Sequence, residues 1–244
     1  VLVTGPTGSG KSTTLYSVLG SISADDRNLS TIEDPVEARL PGVNQAQVNT
    51  RAGFTFAGAL RAMLRQDPDI IMVGEVRDNE TAGIVTQAAL TGHLVFSTLH
   101  TNDAPSAVTR LVNLGVEPYL VAATLRGVLA QRLVRKICPH CKAPAEPDER
   151  AAAAIKAAGG DPGKLWRGTG CGRCRGTGYA GRVGVFELLV PDAALLEAIA
   201  SGAPLQALRA LLTDGGFRTL RDDGMEKVAA GLTTPEEVLY AAIS

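Results

Sequence analysis

One octapeptide limits what this chain can be more than anything else in it: Gly5-Pro6-Thr7-Gly8-Ser9-Gly10-Lys11-Ser12. It fits the pattern G-x-x-x-x-G-K-[ST] and lies between a short apolar run, Val1–Thr4, and a helical stretch, Thr13–Ile22. Glycines there let backbone N–H groups converge on phosphate oxygens, and the start of the helix adds favourable partial charge. Such a loop between a strand and a helix is a phosphate cradle, and ATP is the expected ligand. Lys11 is expected to reach the β- and γ-phosphates, and the Ser12 hydroxyl to ligate Mg²⁺. Gly5, Thr7, Gly8, Ser9, Gly10 and Thr13 complete the candidate nucleotide-binding set.

The rest of the first half supports that context. Short apolar runs at Val1–Thr4, Leu29–Ile32, Ile70–Val73 and Leu94–Thr98 read as buried strands, with a further strand or hairpin at Val43–Val48. Helical stretches fall between them at Thr13–Ile22, Thr55–Arg65, Asn79–Leu90 and Ala104–Leu114. Alternation of this kind predicts an α/β fold, a parallel sheet with helices on both faces. A long helical run is expected to end near Ile137, with the basic cluster Arg132-Leu133-Val134-Arg135-Lys136 on a solvated helix face. From Leu188 onward three or four small helices are expected, with a capping box at Thr234-Pro235-Glu236-Glu237.

Two acids follow strands where chemistry would need them. Glu33-Asp34-Pro35 ends one apolar run and Gly74-Glu75 ends another. Ligands of open parallel sheets bind at the carboxyl ends of strands, so both are expected to face the phosphates. Hydrolysis requires one group for the metal or its waters and one to orient the attacking water. Glu33 is assigned to the water and Glu75 to the magnesium shell, the reverse remaining open. His93 and His100 bracket another strand. At least one is expected to sense the γ-phosphate, and His100 is the better candidate.

Residues 138–184 have little periodic hydrophobicity but carry all four cysteines, as Cys138-Pro139-His140-Cys141 and Cys171-Gly172-Arg173-Cys174. Two Cys-x-x-Cys pairs suit a tetrahedral Zn²⁺ held by four thiolates, because each two-residue gap lets both sulfurs face one ion. Four thiolates leave no open position, so the metal is expected to be structural. His140 as a substitute ligand and a redox dithiol are weaker alternatives.

These motifs together resemble the secretion ATPase superfamily, and within it the type II secretion and type IV pilus assembly ATPases. The phosphate loop resembles the family's Walker A, Thr31–Glu37 its Asp box, Leu64–Asp78 its Walker B region with a Glu, and Thr91–Asp103 its His box, in the family's order. The likeness runs through the cysteines to Ser244 and is nearer in texture to the secretion members. It implies a RecA-like P-loop NTPase core over residues 1–137, a zinc-binding knuckle over 138–184 and a C-terminal helical subdomain over 185–244. It also implies a homo-hexamer that hydrolyses ATP to drive pseudopilus assembly through an inner-membrane platform protein, with recruitment proteins holding it to the cytoplasmic membrane. The cysteine element separates assembly from retraction ATPases in this resemblance. The family's preceding domain, which supplies arginines across the subunit interface, is not in this sequence. Arg77, beside Glu75, could face phosphate or pair with an acid.

Composition trims the alternatives. A formal net charge of −1 and an aromatic content of 4% argue against a nucleic-acid translocase, which needs a positive groove and stacking platforms. No apolar stretch reaches the ~18 residues of a membrane span, and no leader pattern is visible; a cytoplasmic location, peripheral to the inner membrane through partners, is what the resemblance implies. The start at Val1 without Met reads as a fragment.

Overall fold

The computed structural model describes residues 1–22, 27–157 and 161–243, so the expected segments 138–184 and 185–244 fall in part outside the described residues. In chain order the first elements are β1 (Leu2–Thr4), α1 (Lys11–Ser21), β2 (Leu29–Glu33), β3 (Val43–Gln47), α2 (Phe56–Met63), β4 (Ile70–Val73), α3 (Asn79–Leu90), β5 (Leu94–Leu99), α4 (Ala104–Asn113) and α5 (Pro118–Thr124). Then come β6 (Val128–Ile137), β7 (Lys142–Ala145), α6 (Glu149–Ala157), β8 (Leu165–Gly168) and β9 (Tyr179–Leu189). The chain closes with α7 (Ala193–Ala200), α8 (Leu205–Asp214), α9 (Leu220–Ala229) and α10 (Pro235–Ile243). It packs as two compact units that are not consecutive in sequence. One comprises Val1–Gly5, Lys11–Leu129 and Leu189–Phe217; the other comprises Pro6–Gly10, Ala130–Leu188 and Arg218–Ser244.

The first unit holds the strand order β3-β2-β4-β5-β1, with every pair parallel. β1, β2 and β4 are buried along their whole length, as strands covered on both faces must be. The two faces separate by strict alternation. Ile71, Val73, Ile32 and Val95 pack with Leu60 and Met63 of α2 and Ala88 of α3. Ile70, Met72, Leu29, Val3 and Phe96 pack with Leu15 and Leu19 of α1. β3, with the polar sequence VNQAQ, is only partly buried and forms the outer strand. Side-chain caps start the helices that follow strands β4 and β5: Asp78 accepts from Thr81 N, and Asp103 from Ser106 N.

The expected helical run to Ile137 is a correction. The chain is helical only to Thr124, and residues 128–137 form a ten-residue strand. Ala130, Gln131 and Leu133 have fair helix propensity, but pairing with distant strands overrides it. The basic cluster is accordingly split: Arg132 is buried while Arg135 and Lys136 are exposed.

In the second unit β6 and β9 are neighbours, and β7 and β8 form an antiparallel pair. Helices α6, α9 and α10 enclose Ala154, Ile155, Met225, Val228 and Val238 around Leu165 of β8. Among the described residues no helix is long and apolar enough to cross a membrane.

Candidate active site

At the carboxyl edge of the first unit's sheet, four strand ends bring together the residues that chemistry needs. β1 and β5 are pinned by Thr4, whose hydroxyl donates to the Leu99 carbonyl at 3.1 Å and accepts from the Thr101 N–H at 2.9 Å. Lys11, at the start of α1, donates Nζ to the carbonyl of Gly5 at 2.8 Å. The Ser12 hydroxyl donates to Glu37 Oε1 at 3.2 Å.

β2 and β4 meet at a point where a side chain would be crowded. Gly74 N–H donates to the Ile32 carbonyl at 2.8 Å, and a Cβ on Gly74 would stand 3.3 Å from both Glu33 Cα and the Ile32 oxygen. That close approach sets Glu33 and Glu75 on adjacent strand ends. Glu33 is 4% exposed. Its Oε1 accepts from the Thr31 hydroxyl at 2.6 Å and from Gln45 Nε2 at 3.1 Å, and its Oε2 accepts from the Tyr16 phenol. Burial and the neighbouring carboxylate hold the Tyr16 phenol above its usual value, so it stays a donor near neutrality. Glu75 is mostly buried and lies 2.5 Å from Arg77 and 3.5 Å from His100 Nε2. Arg77 thus pairs with the acid. Its side chain is 68% exposed, and such a pair contributes at most about 1 kcal/mol, so it is readily detached.

His93 stands apart. It precedes β5, whereas His100 follows it, so six residues, or roughly 20 Å of strand, separate them. Its ring nitrogen faces the Ala88 carbonyl and the Thr91 hydroxyl, both belonging to the end of α3. The sheet brings Glu33, Glu75 and His100 to the edge that holds Gly5 and Lys11, and leaves His93 at the other edge.

The loop residues Pro6–Gly10 belong to the second unit. Gly8 and Gly10 have φ of 78° and 89°, the left-handed region that favours glycine. Ser9 is 3% exposed, and among the described residues its hydroxyl has no partner.

In the same unit the four cysteines converge. Their sulfurs all lie within 4.8 Å of one another, with 4.0 Å for Cys138–Cys171, 3.8 Å for Cys141–Cys174 and 3.7 Å for Cys171–Cys174. A tetrahedral ion with metal–sulfur bonds of about 2.3 Å requires sulfur separations of about 3.8 Å. Burial alone would raise the Cys174 thiol. The N–H groups of Cys171 and Gly178, 3.2 and 3.3 Å from its sulfur, instead bring it down to about 6. The His140 ring is hydrogen-bonded to Arg173 and is not part of the cluster.

Residues 1–240 match the family described as type II/IV secretion system protein. The chain belongs to that family. Among secretion system relatives, it is 53% identical to the type II secretion system ATPase E of Vibrio cholerae serotype O1, over 98% of this chain and 47% of that protein. It is 54% identical to the type IV pilus assembly ATPase PilB of Thermus thermophilus, over 99% of this chain and 27% of that protein. The chain therefore spans about half the length of such relatives, or less. The crystal structure of the pilus retraction motor PilT with bound ADP has a TM-score of 0.73 and 34% identity, covering 98% of this chain and 60% of PilT. The α/β architecture with a mostly parallel sheet is thus that of a secretion-family ATPase.

Several residues at this edge escape a sequence reading. Gly74 and Gln45 act through approach and reach that no motif encodes. Tyr16 could have been found by noting that a helix starting at Lys11 carries it on the same face as Ser12; Glu37 closes the stretch Thr31–Glu37 already singled out, without a role of its own.

Proposed function

We propose that this chain is the motor part of a type II secretion ATPase. It hydrolyses ATP within a homo-hexameric ring and passes the motion to an inner-membrane platform protein that builds a pseudopilus. The observation that carries the reading is the approach at Gly74, which sets Glu33 and Glu75 on adjacent strand ends at the edge holding Gly5 and Lys11.

In this reading Gly5, Thr7, Gly8, Ser9, Gly10, Lys11, Ser12 and Thr13 hold the triphosphate. The unpartnered Ser9 hydroxyl suits a phosphate oxygen, since a buried orphan costs about 1–3 kcal/mol. A hydroxyl and a carboxylate are hard oxygen ligands, so Ser12 and Glu75 suit Mg²⁺, which neutralises charge on the phosphoryl oxygens. Glu33 orients the attacking water and takes its proton. His100 senses the terminal phosphate, and His93 has no part at that edge. Cys138, Cys141, Cys171 and Cys174 hold one structural Zn²⁺, for which the sulfur spacing is the support. The functional division is a nucleotide core over 1–137, a zinc element over 138–184 and a helical part over 185–244. The ring works on the cytoplasmic side of the inner membrane, held by recruitment proteins, without nucleic acid.

A second reading, a type IV pilus assembly ATPase, is favoured by the equally high identity to the pilus protein. The test is Lys11→Ala in the full-length natural protein. Turnover is expected to fall by 10²-fold or more, on the order of what one preorganised donor supplies; a wild-type rate would overturn the assignment. In the cell the same substitution should abolish protein secretion and leave pili in the leading reading, and abolish pili in the second.

A further inference from the structure

We infer that Tyr16 is a positioning residue for Glu33, fixing the one carboxylate oxygen that remains open to water; the inference rests on Glu33 being the water-activating acid. A carboxylate offers about four acceptor directions. Oε1 uses both of its own, on the Thr31 hydroxyl and the Gln45 amide. Oε2 uses one, on the Tyr16 phenol. The remaining direction therefore belongs to Oε2, the oxygen that Tyr16 holds.

The three donors differ in what they tie the acid to. Thr31 and Gln45 stand on β2 and β3, the sheet that already carries Glu33. Tyr16 stands on α1, the helix that opens with Lys11 and Ser12. It lies one turn beyond Ser12, so the two side chains share a face. The phenol uses both of its hydrogen-bonding roles, donating to Glu33 and accepting from the Glu37 N–H at 3.1 Å. The Glu37 carboxylate in turn accepts from Ser12. The circuit Ser12–Tyr16–Glu37 thus fastens the segment carrying Glu33 and Glu37 to the first turns of α1. Through Tyr16, the water-binding lone pair is referenced to the helix whose first residues meet the phosphates. A misplacement of about 1 Å can cost 10²-fold in rate.

Removing the phenol hydroxyl leaves Oε1 anchored and Oε2 free to swing. The test uses Tyr16→Phe, Glu33→Gln and the double variant in the full-length natural protein. It measures kcat, KM for ATP, affinity for fluorescent ADP and melting temperature. Tyr16→Phe is expected to lower kcat 10- to 100-fold, while KM, ADP affinity and melting temperature stay near wild type. Added to Glu33→Gln it should cost nothing further, because coupled residues fail to add. A wild-type kcat in Tyr16→Phe, with Glu33→Gln inactive, overturns the inference and leaves the role of Glu33 standing. An equal loss in both backgrounds also overturns it, since Tyr16 would then act elsewhere. A loss tracked by KM, ADP affinity or melting would mark a merely structural tyrosine. Full turnover in Glu33→Gln would instead remove the reading beneath it.

Discussion

Gln131 of β6 donates its side-chain N–H to the carbonyl of Ser9 at 2.6 Å, joining residues 122 positions apart in sequence. The bond is buried, and it explains a restriction at the next residue. Gly10 has φ 89°, and a Cβ there would lie 3.0 Å from Gln131 Nε2. Gly10→Ala is expected to lose about 1–2 kcal/mol from the left-handed backbone alone, and Gln131→Ala about 1 kcal/mol. Gly20→Ala on α1, where nothing lies within 4 Å, should be neutral or stabilising by up to ~1 kcal/mol. Denaturant unfolding of the three variants checks the order, and fluorescent-nucleotide titration should show weaker binding for the first two only.

Glu75 and Glu33 are distinguished by their surroundings. Glu75 touches a detachable arginine and a histidine, whereas Glu33 is held by three donors. Glu75→Gln should raise the Mg²⁺ concentration needed for half-maximal turnover, and Glu33→Gln should slow turnover without that shift. Magnesium titrations of both variants decide it. A shifted requirement in Glu33→Gln alone would exchange the two roles.

The thiol cluster should carry one zinc per chain by elemental analysis. Because a site of this kind rarely exists in the unfolded chain, metal binding contributes to folding. Chelator treatment, or Cys141→Ser, should lower the melting temperature by several degrees, on the order of 1–2 kcal/mol or more for a chain of this size. A fully reduced, folded preparation without zinc would contradict the assignment.

On α10, Glu237 accepts from the Arg135 backbone N–H at 3.0 Å and from its guanidinium at 2.6 Å. Burial raises the carboxyl, but the Arg135 bonds outweigh it and hold Glu237 below its usual 4.5. A depressed acid stabilises the fold above its unfolded value and loses that contribution as pH falls through the folded one. The melting-temperature difference between wild type and Glu237→Gln should therefore be constant above pH 4.5 and vanish below it. Arg135→Ala should remove that pH dependence.

Much of the first unit could be read from sequence because most of its strands are short apolar runs, and the loop Pro6–Gly10 was legible as a glycine pattern tied to backbone conformation. β6 could not, since Ala130, Gln131 and Leu133 become strand only by pairing with distant partners. The spacing at Thr234–Glu237 marked the helix start, but the side chains went elsewhere: the Thr234 hydroxyl pairs with Tyr179, Glu236 with Arg167 and Glu237 with Arg135. His93 and His100 both entered the candidate set, with His100 preferred, because spacing shows that a strand is bracketed; strand direction then puts His100 at the edge holding Lys11 and His93 at the other. Each cysteine pair is aimed by its own local turn, but the two pairs lie 33 residues apart and meet only because the chain between them folds back.

The most direct measurement is a crystal structure of the full-length natural protein with Mg²⁺ and a non-hydrolysable ATP analogue. The account predicts the terminal phosphate at the edge formed by Lys11, Glu33 and Glu75, with a water about 3 Å from Glu33 Oε2 and in line with that phosphate. Glu33 and Glu75 turned away from the nucleotide would contradict it.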